Sequence, residues 1–143
     1  MQSHPMITEP VKTRQRNEIV DVTDAIRRLV KQKGVIDGMA ILYVPHTTAA
    51  VTINENYDPD VKSDLLQKLS ELIPKREGYY RHDEGNSDSH VKTALVGNSA
   101  TVIIEKGELV LGRWQGIYFC EFDGPRPRTV HVQCVGTTES SRS

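Results

Sequence analysis

The chain has 143 residues, 26% of them charged, with 18 basic against 19 acidic side chains and a formal net charge of -1. That length makes one domain, able to bury about two thirds of its unfolded surface in a single core. The even charge balance excludes the broad basic footprint of a nucleic-acid binder and a polyacidic tail, so any electrostatic work is local.

The segment Met1 to Pro10 lacks a basic flank followed by an apolar stretch, and nowhere do about 18 apolar residues run together. The expectation is a soluble, cytoplasmic protein with no nucleic-acid or membrane partner. It is read as a single domain over residues 1–143, with 1–6 and 137–143 as flexible tails.

Ile7 to Val20 alternates loosely and is broken by the polar cluster Arg14 to Asn17, which predicts two short strands joined by a turn. Asp21 then reads as a helix N-cap. Val22, Ala25, Ile26, Leu29 and Val30 make an i, i+3, i+4, i+7, i+8 stripe ending at Gly34. After an expected Asp37-Gly38 turn, Met39 to Val44 is a nearly unbroken apolar run, which predicts a strand buried on both faces. Pro45 stops it. His46-Thr47-Thr48 follows, then a second strand from Ala49 to Asn54, so His46 falls at a bend where a side chain is aimed out of the sheet.

Asp58 with Pro59 at the first helical position opens a second amphipathic helix, with Val61, Leu65, Leu69 and Leu72 on one face up to Pro74. The polar side chains of Asn54, Glu55 and Asn56 close the preceding strand and are candidates to line the same mouth as His46. Lys75 to Arg81 is a polar loop.

The stretch His82 to His90 begins and ends in an imidazole and holds almost nothing that favours burial. Ser87, Asp88 and Ser89 are good N-caps for a short helix to Val96, with Val91, Ala94 and Leu95 as its apolar face. That puts His90 in a first helical turn, where the helix end disfavours imidazolium. A polar surface loop is the competing reading of the same residues.

Beyond Gly97 the chain is strand-like. Thr101–Glu105 and Glu108–Leu111 flank Lys106-Gly107 as a hairpin, and Ile117–Asp123 and Arg128–Val135 form a second one around Gly124-Pro125-Arg126-Pro127. In that second hairpin Cys120 lies opposite Val132, leaving Cys134 too far along its strand for a disulfide, so both cysteines read as reduced. Gly112 to Gly116 carries the only tryptophan, Trp114, beside Gln115. Arg126 and Arg128 present guanidiniums on a stiffened turn suited to gripping a phosphate or carboxylate. Four or more core-grade strands against two long amphipathic stripes imply an α+β domain.

Of five histidines, His46, His82 and His90 sit in polar loops or at element ends, while His4 lies near the terminus and His131 in a strand. Three imidazoles with an open fourth position would describe a catalytic zinc-type site.

The segments His46 to Asn56 with Asp58-Pro59-Asp60-Val61, His82 with Glu84-Gly85-Asn86, Ser89-His90-Val91-Lys92, and Trp114-Gln115-Gly116-Ile117 with Glu121 resemble the YjbQ-like family, often labelled secondary thiamine-phosphate synthase. The resemblance runs from about Ile7 to Val135. It implies an α+β domain with a β-sandwich-like core of mixed or antiparallel sheet, two longer helices and one short one, assembled as a homotrimer.

It also implies a divalent metal, Zn²⁺ by expectation, at His46, His82 and His90, and recurring polar positions at Asn54, Glu55, Asp58 and Glu121. The function expected from residues and resemblance together is a metal-dependent enzyme on a small phosphorylated substrate, with thiamine-phosphate synthase (transferase) activity as the family label. Glu55 or Glu121 would be the acid or base, and Asn54, Asn56, Asp58, Trp114, Gln115, Arg126 and Arg128 the substrate contacts. A non-catalytic metal- or anion-binding protein is the alternative. The chain departs from the family pattern in a shorter loop, Asn86-Ser87-Asp88, and in Phe122 where many relatives have a histidine.

Overall fold

The computed structural model describes residues 2–139. Its strands are β1 (Gln2–Ser3), β2 (Ile7–Lys12), β3 (Glu18–Asp21), β4 (Val35–Tyr43), β5 (Ala49–Glu55), β6 (Ser99–Glu105), β7 (Glu108–Leu109), β8 (Gln115–Glu121) and β9 (Pro127–Thr138). The helices are α1 (Thr23–Lys33), α2 (Pro59–Leu72) and α3 (Ser87–Val96). All pairings are antiparallel. One sheet runs β1-β9-β4-β6-β7, with β2 also on β9; the other runs β3-β8-β5. The expected α+β architecture is present.

The main core lies between the two sheets. Ala40 and Leu42 of β4, Val102 and Ile104 of β6, and Val130, Val132 and Cys134 of β9 face Val51, Ile117 and Phe119, with Ile26, Leu29 and Val30 of α1 closing one side. A second cluster, Ala50, Tyr118, Cys120 and Phe122, lies on the other face of the small sheet and packs with Leu69 of α2 and Val96 of α3. The strand buried on both faces is therefore β8, not β4. On β4 only alternate residues are buried, and Met39, Ile41 and Tyr43 of its outer face remain half-buried or exposed.

The α1 stripe is borne out at Val22, Ile26, Leu29 and Val30, and Gly34 ends the helix in the left-handed conformation at φ 68°. Asp21 accepts from the Thr23 backbone N–H at 2.9 Å, although the residue flanking the helix is Val22. Thr23 Oγ1 in turn accepts from Ile117 N–H at 2.8 Å, which ties α1 to β8. Asp58 caps α2 through Asp60 N–H, with Pro59 first in the helix. Lys106 and Gly107 take positive φ, 53° and 78°, and form the expected tight hairpin.

Three further expectations are corrected. Asp37 and Gly38 lie inside β4, where a side chain on Gly38 would collide with the Val135 carbonyl of β9; close strand approach requires that glycine. The second hairpin does not form: β8 and β9 enter different sheets, so the 124–127 turn is a crossover, and Cys120 and Cys134 are separate buried free thiols.

At the ends of the chain Gln2 and Ser3 pair with Gly136 and Val135, and β9 continues through Thr138. Residues 1 and 140–143 of the expected tails lie outside the described residues.

The largest correction is α3. Ser87, Asp88 and Ser89 belong to its first turn, after Asn86 as the capping position, and none of them caps it through a side chain. Val91 and Leu95 face solvent, whereas Asp88, Ser89, Lys92 and Thr93 are buried. Arg16 donates to both oxygens of Asp88 at 3.1 and 3.0 Å, Lys92 Nζ lies 3.6 Å from Asp88, and Ser89 Oγ donates to the Phe122 carbonyl. The long-range bonds to Arg16 and Phe122, with the Lys92–Asp88 pair inside the helix, outweigh the burial of two aliphatic side chains, each worth about 1.5–3 kcal/mol. Among the described residues no helix is long and apolar enough to cross a membrane.

Candidate functional site

The bend after β4 carries the chain from one sheet to the other, and His46 stands in it. Three contacts pin the bend. Phe122 N–H donates to the Thr48 carbonyl at 3.1 Å, Arg128 Nη2 donates to Thr48 Oγ1 at 2.8 Å, and the Thr129 N–H donates to His46 Nε2 at 3.0 Å. A neutral imidazole has one lone pair, so this bond fixes His46 as the tautomer with its proton on Nδ1. Desolvation, then the nearby Arg128 charge, holds the His46 pKa below 6.5.

His46 and Thr48 share a polar cleft of about 330 Å³ with Asn86 and His90 at the start of α3, Asp123 and Arg126 after β8, and Glu84. Asn86 Nδ2 donates to Asp123 Oδ2 at 2.8 Å, and Arg126 Nη2 to the same oxygen at 3.0 Å. The ring of His82 meets that of His90 edge-to-face with centroids 5.1 Å apart. His82 Nε2 lies 3.8 Å from Glu84. The three candidate histidines are thus neighbours, which their spacing in sequence did not establish.

As placed, they do not form a metal cage. The Nε2 lone pair of His46 is committed to Thr129, His82 and His90 present an edge and a face to one another, and no three His, Cys, Asp or Glu side chains among the described residues are grouped to hold an ion.

The two arginines expected to grip an anion are occupied. Arg128, 6% exposed, donates to both oxygens of Glu121, which is fully buried and also accepts from Thr13 Oγ1 at 2.8 Å and Asp123 N–H at 3.0 Å. Burial alone would push the Glu121 pKa up. The hydrogen bonds with Arg128, Asp123 and Thr13 outweigh it and leave the pKa below 4.5. Glu121 is in this way withdrawn from proton transfer, and it holds Arg128 against the His46 bend. Arg126 is exposed but paired with Asp123.

The remaining candidates lie elsewhere. Glu55 ends β5, about 20 Å along the strand from Ala49 at ~3.3 Å per residue, so it belongs to the opposite end of the small sheet. Asn54, Asn56, Asp58, Trp114 and Gln115 gather there. Asn56 N–H donates to the Trp114 carbonyl at 2.9 Å, the Tyr57 ring meets Trp114 at 4.8 Å, and Arg113 stacks 4.7 Å over the indole. Gln115 Oε1 accepts from Gly112 N–H. Sequence reasoning missed Asp123, Thr48 and Asn86 as wall residues of the cleft; for Asp123 and Asn86 the Asx-containing turns were the available signal.

Residues 8–137 match the family described as UPF0047 protein YjbQ-like. The chain belongs to that family. It is 49% identical to the UPF0047 protein YugU of Bacillus subtilis over 90% of this chain and 98% of the relative, and 53% identical to a UPF0047 protein of Methanocaldococcus jannaschii over 88% and 91%.

Among solved structures, an uncharacterized YjbQ/UPF0047 protein of Clostridium acetobutylicum matches at a TM-score of 0.87 and 50% identity, covering 90% of this chain and 99% of that one. A protein of Sulfolobus solfataricus, described as of unknown function, matches at a TM-score of 0.90 and 29% identity, covering 95% and 99%. The UPF0047 fold thus includes nearly all of this chain, the histidine cleft among it, and these relatives bring no reaction with them.

Proposed function

We propose that this UPF0047 chain is an enzyme acting on a small phosphorylated molecule in the cleft between the His46 bend and α3, with His46 and His90 as its proton-handling groups. The observation that carries the reading is the meeting of two imidazoles from distant parts of the chain in one polar cleft, one of them kept neutral by burial and by Arg128. With Nε2 occupied by the Thr129 N–H, the neutral His46 ring acts as an Nδ1–H donor, and it accepts a proton only once that bond opens. Asp123 and Asn86 fix the wall opposite.

Two finer parts of the proposal rest on the family resemblance. One is the reaction, joining a pyrimidine diphosphate to a thiazole phosphate with loss of pyrophosphate. The other is a bound Zn²⁺, which would require the His46 ring to leave the Thr129 N–H; no step of this reading runs through it. A homotrimer is proposed on the family resemblance, with Tyr43, Ile103 and Val110, 46%, 62% and 47% exposed on the outer side of the large sheet, as an apolar face suited to self-association.

Product formation from a panel of phosphorylated substrates is compared in wild type, His46→Ala and His90→Ala. Loss in both variants is expected, and equal rates in all three would remove these residues from the chemistry. The second reading, a non-catalytic binder of a metal or anion, is favoured by the occupied state of Glu121 and the distance to Glu55. Saturable phosphate-ester binding without turnover would select it.

A further inference from the structure

The proposed substrate needs a cation to hold its phosphoryl group, and the cations around the histidine cleft are taken. Arg16 and Lys92 serve Asp88, Arg126 serves Asp123, and Arg128 serves Glu121. The neighbouring cleft, of about 300 Å³, differs. It is formed by the segment joining α2 to α3 and by the first turn of α3, and Lys75 and Arg76 line it. Among the described residues neither has a carboxylate within ion-pair distance, and both are exposed.

The loop that carries them is closed on itself. Tyr80 Oη donates to the Pro74 carbonyl at 3.0 Å, and Tyr80 N–H to the Glu77 carbonyl at 3.1 Å. Across the cleft, Ser87 opens α3, whose amide end carries partial positive charge. Glu84 lines this cleft and the histidine cleft alike, and His82 on its wall touches His90 of the other. The two cavities are therefore one continuous surface.

Resting on the enzyme reading above, we infer that the Lys75–Arg76 cleft is the phosphoryl subsite of the substrate, and that it places a phosphomonoester with its organic end running past Glu84 toward His90. Arg76 supplies a planar fork and Lys75 a point charge, while Ser87 offers a hydroxyl. Glu84, also on this wall, lies 3.8 Å from His82 Nε2. Glu77 and Glu84 are the carboxylates of the wall that oppose the phosphate, and they set a ceiling on affinity.

The test titrates the full chain with inorganic phosphate and with glycerol phosphate at low ionic strength, by calorimetry and by the amide shift of Ser87. Lys75→Ala with Arg76→Ala should weaken both ligands about tenfold or more, the scale of losing charge-assisted hydrogen bonds. Both positions are exposed, so the fold should survive, as circular dichroism would verify. Glu77→Gln should tighten binding, and Arg126→Ala and His46→Ala should leave it within about twofold.

Absence of saturable phosphate binding overturns the subsite, as does a double variant that binds like wild type or loss on Arg126→Ala alone. If binding follows Lys75 and Arg76 while His46→Ala and His90→Ala turn over substrate normally, the subsite stands and the histidine reading falls.

Discussion

Arg128 and Glu121 meet in a buried, doubly hydrogen-bonded ion pair that links the crossover after β8 to the bend bearing His46. Removing one partner strands the other charge in the core, which typically costs about 3–5 kcal/mol. Glu121→Gln and Arg128→Met should each lower the urea midpoint on that scale. Glu121→Leu combined with Arg128→Met should cost clearly less than the two single losses added, because no charge is left unpaired. A single-variant loss under about 1 kcal/mol would mean that water reaches the pair.

Asp88 offers an acid-stability test. Burial pushes its pKa up, but the hydrogen bond with Arg16 and the charges of Arg16 and Lys92 win, and the net shift is downward from 3.8; Glu121 is shifted downward from 4.5 for like reasons. A depressed folded pKa means that the unfolded chain binds protons first as pH falls. The stabilisation is therefore complete above the unfolded values and is lost as pH drops through about 4.5 and 3.8 toward the folded ones. Denaturation midpoints measured from pH 5 to pH 2 should fall most steeply below about 4.5. Asp88→Asn should be less stable at pH 6 and lose less on acidification.

The apolar outer face gives a prediction about mass. Ile103→Lys, at 62% exposure, should leave the fold of one chain intact and shift light scattering from three times 16.1 kDa toward 16.1 kDa. Wild type running as a single chain at micromolar concentration would remove the trimer.

What the sequence disclosed tracks the range of the interactions involved. The α1 stripe, the Asp58-Pro59 start of α2 and the Lys106-Gly107 hairpin were legible because neighbours within about four residues decide them. The turn at 124–127 announced a change of direction, but not that β9 would leave β8 for the other sheet, since turn residues do not encode the partner strand. The inward face of α3 was misread because the groups that draw Asp88 and Lys92 inside, Arg16 and Asn17, come from more than 70 residues away. His46, His82 and His90 were found as a residue type in polar settings. Lys75 and Arg76 were passed over as a loop, since an unpaired cation is defined by what does not approach it.

The bond from the Thr129 N–H to His46 Nε2 yields the most direct test of the site. In chelator-treated protein it requires the Nδ1–H tautomer, and desolvation together with the Arg128 charge requires titration below 6.5. A histidine with a lowered folded pKa is protonated first in the unfolded chain. Its contribution is full above 6.5 and is lost as pH falls from there to the folded value, below which no further loss occurs. Long-range ¹⁵N–¹H spectra should report Nδ1 protonation at neutral pH, and denaturation midpoints should drop modestly between pH 7 and 5 in wild type but less in His46→Asn. Zinc binding through Nε2 would break this bond and shift the Thr129 amide sharply, whereas zinc that leaves that amide unmoved must be held without His46 Nε2. A protonated Nε2 at neutral pH, or titration at or above 6.5, would overturn this arrangement of the neutral His46 ring.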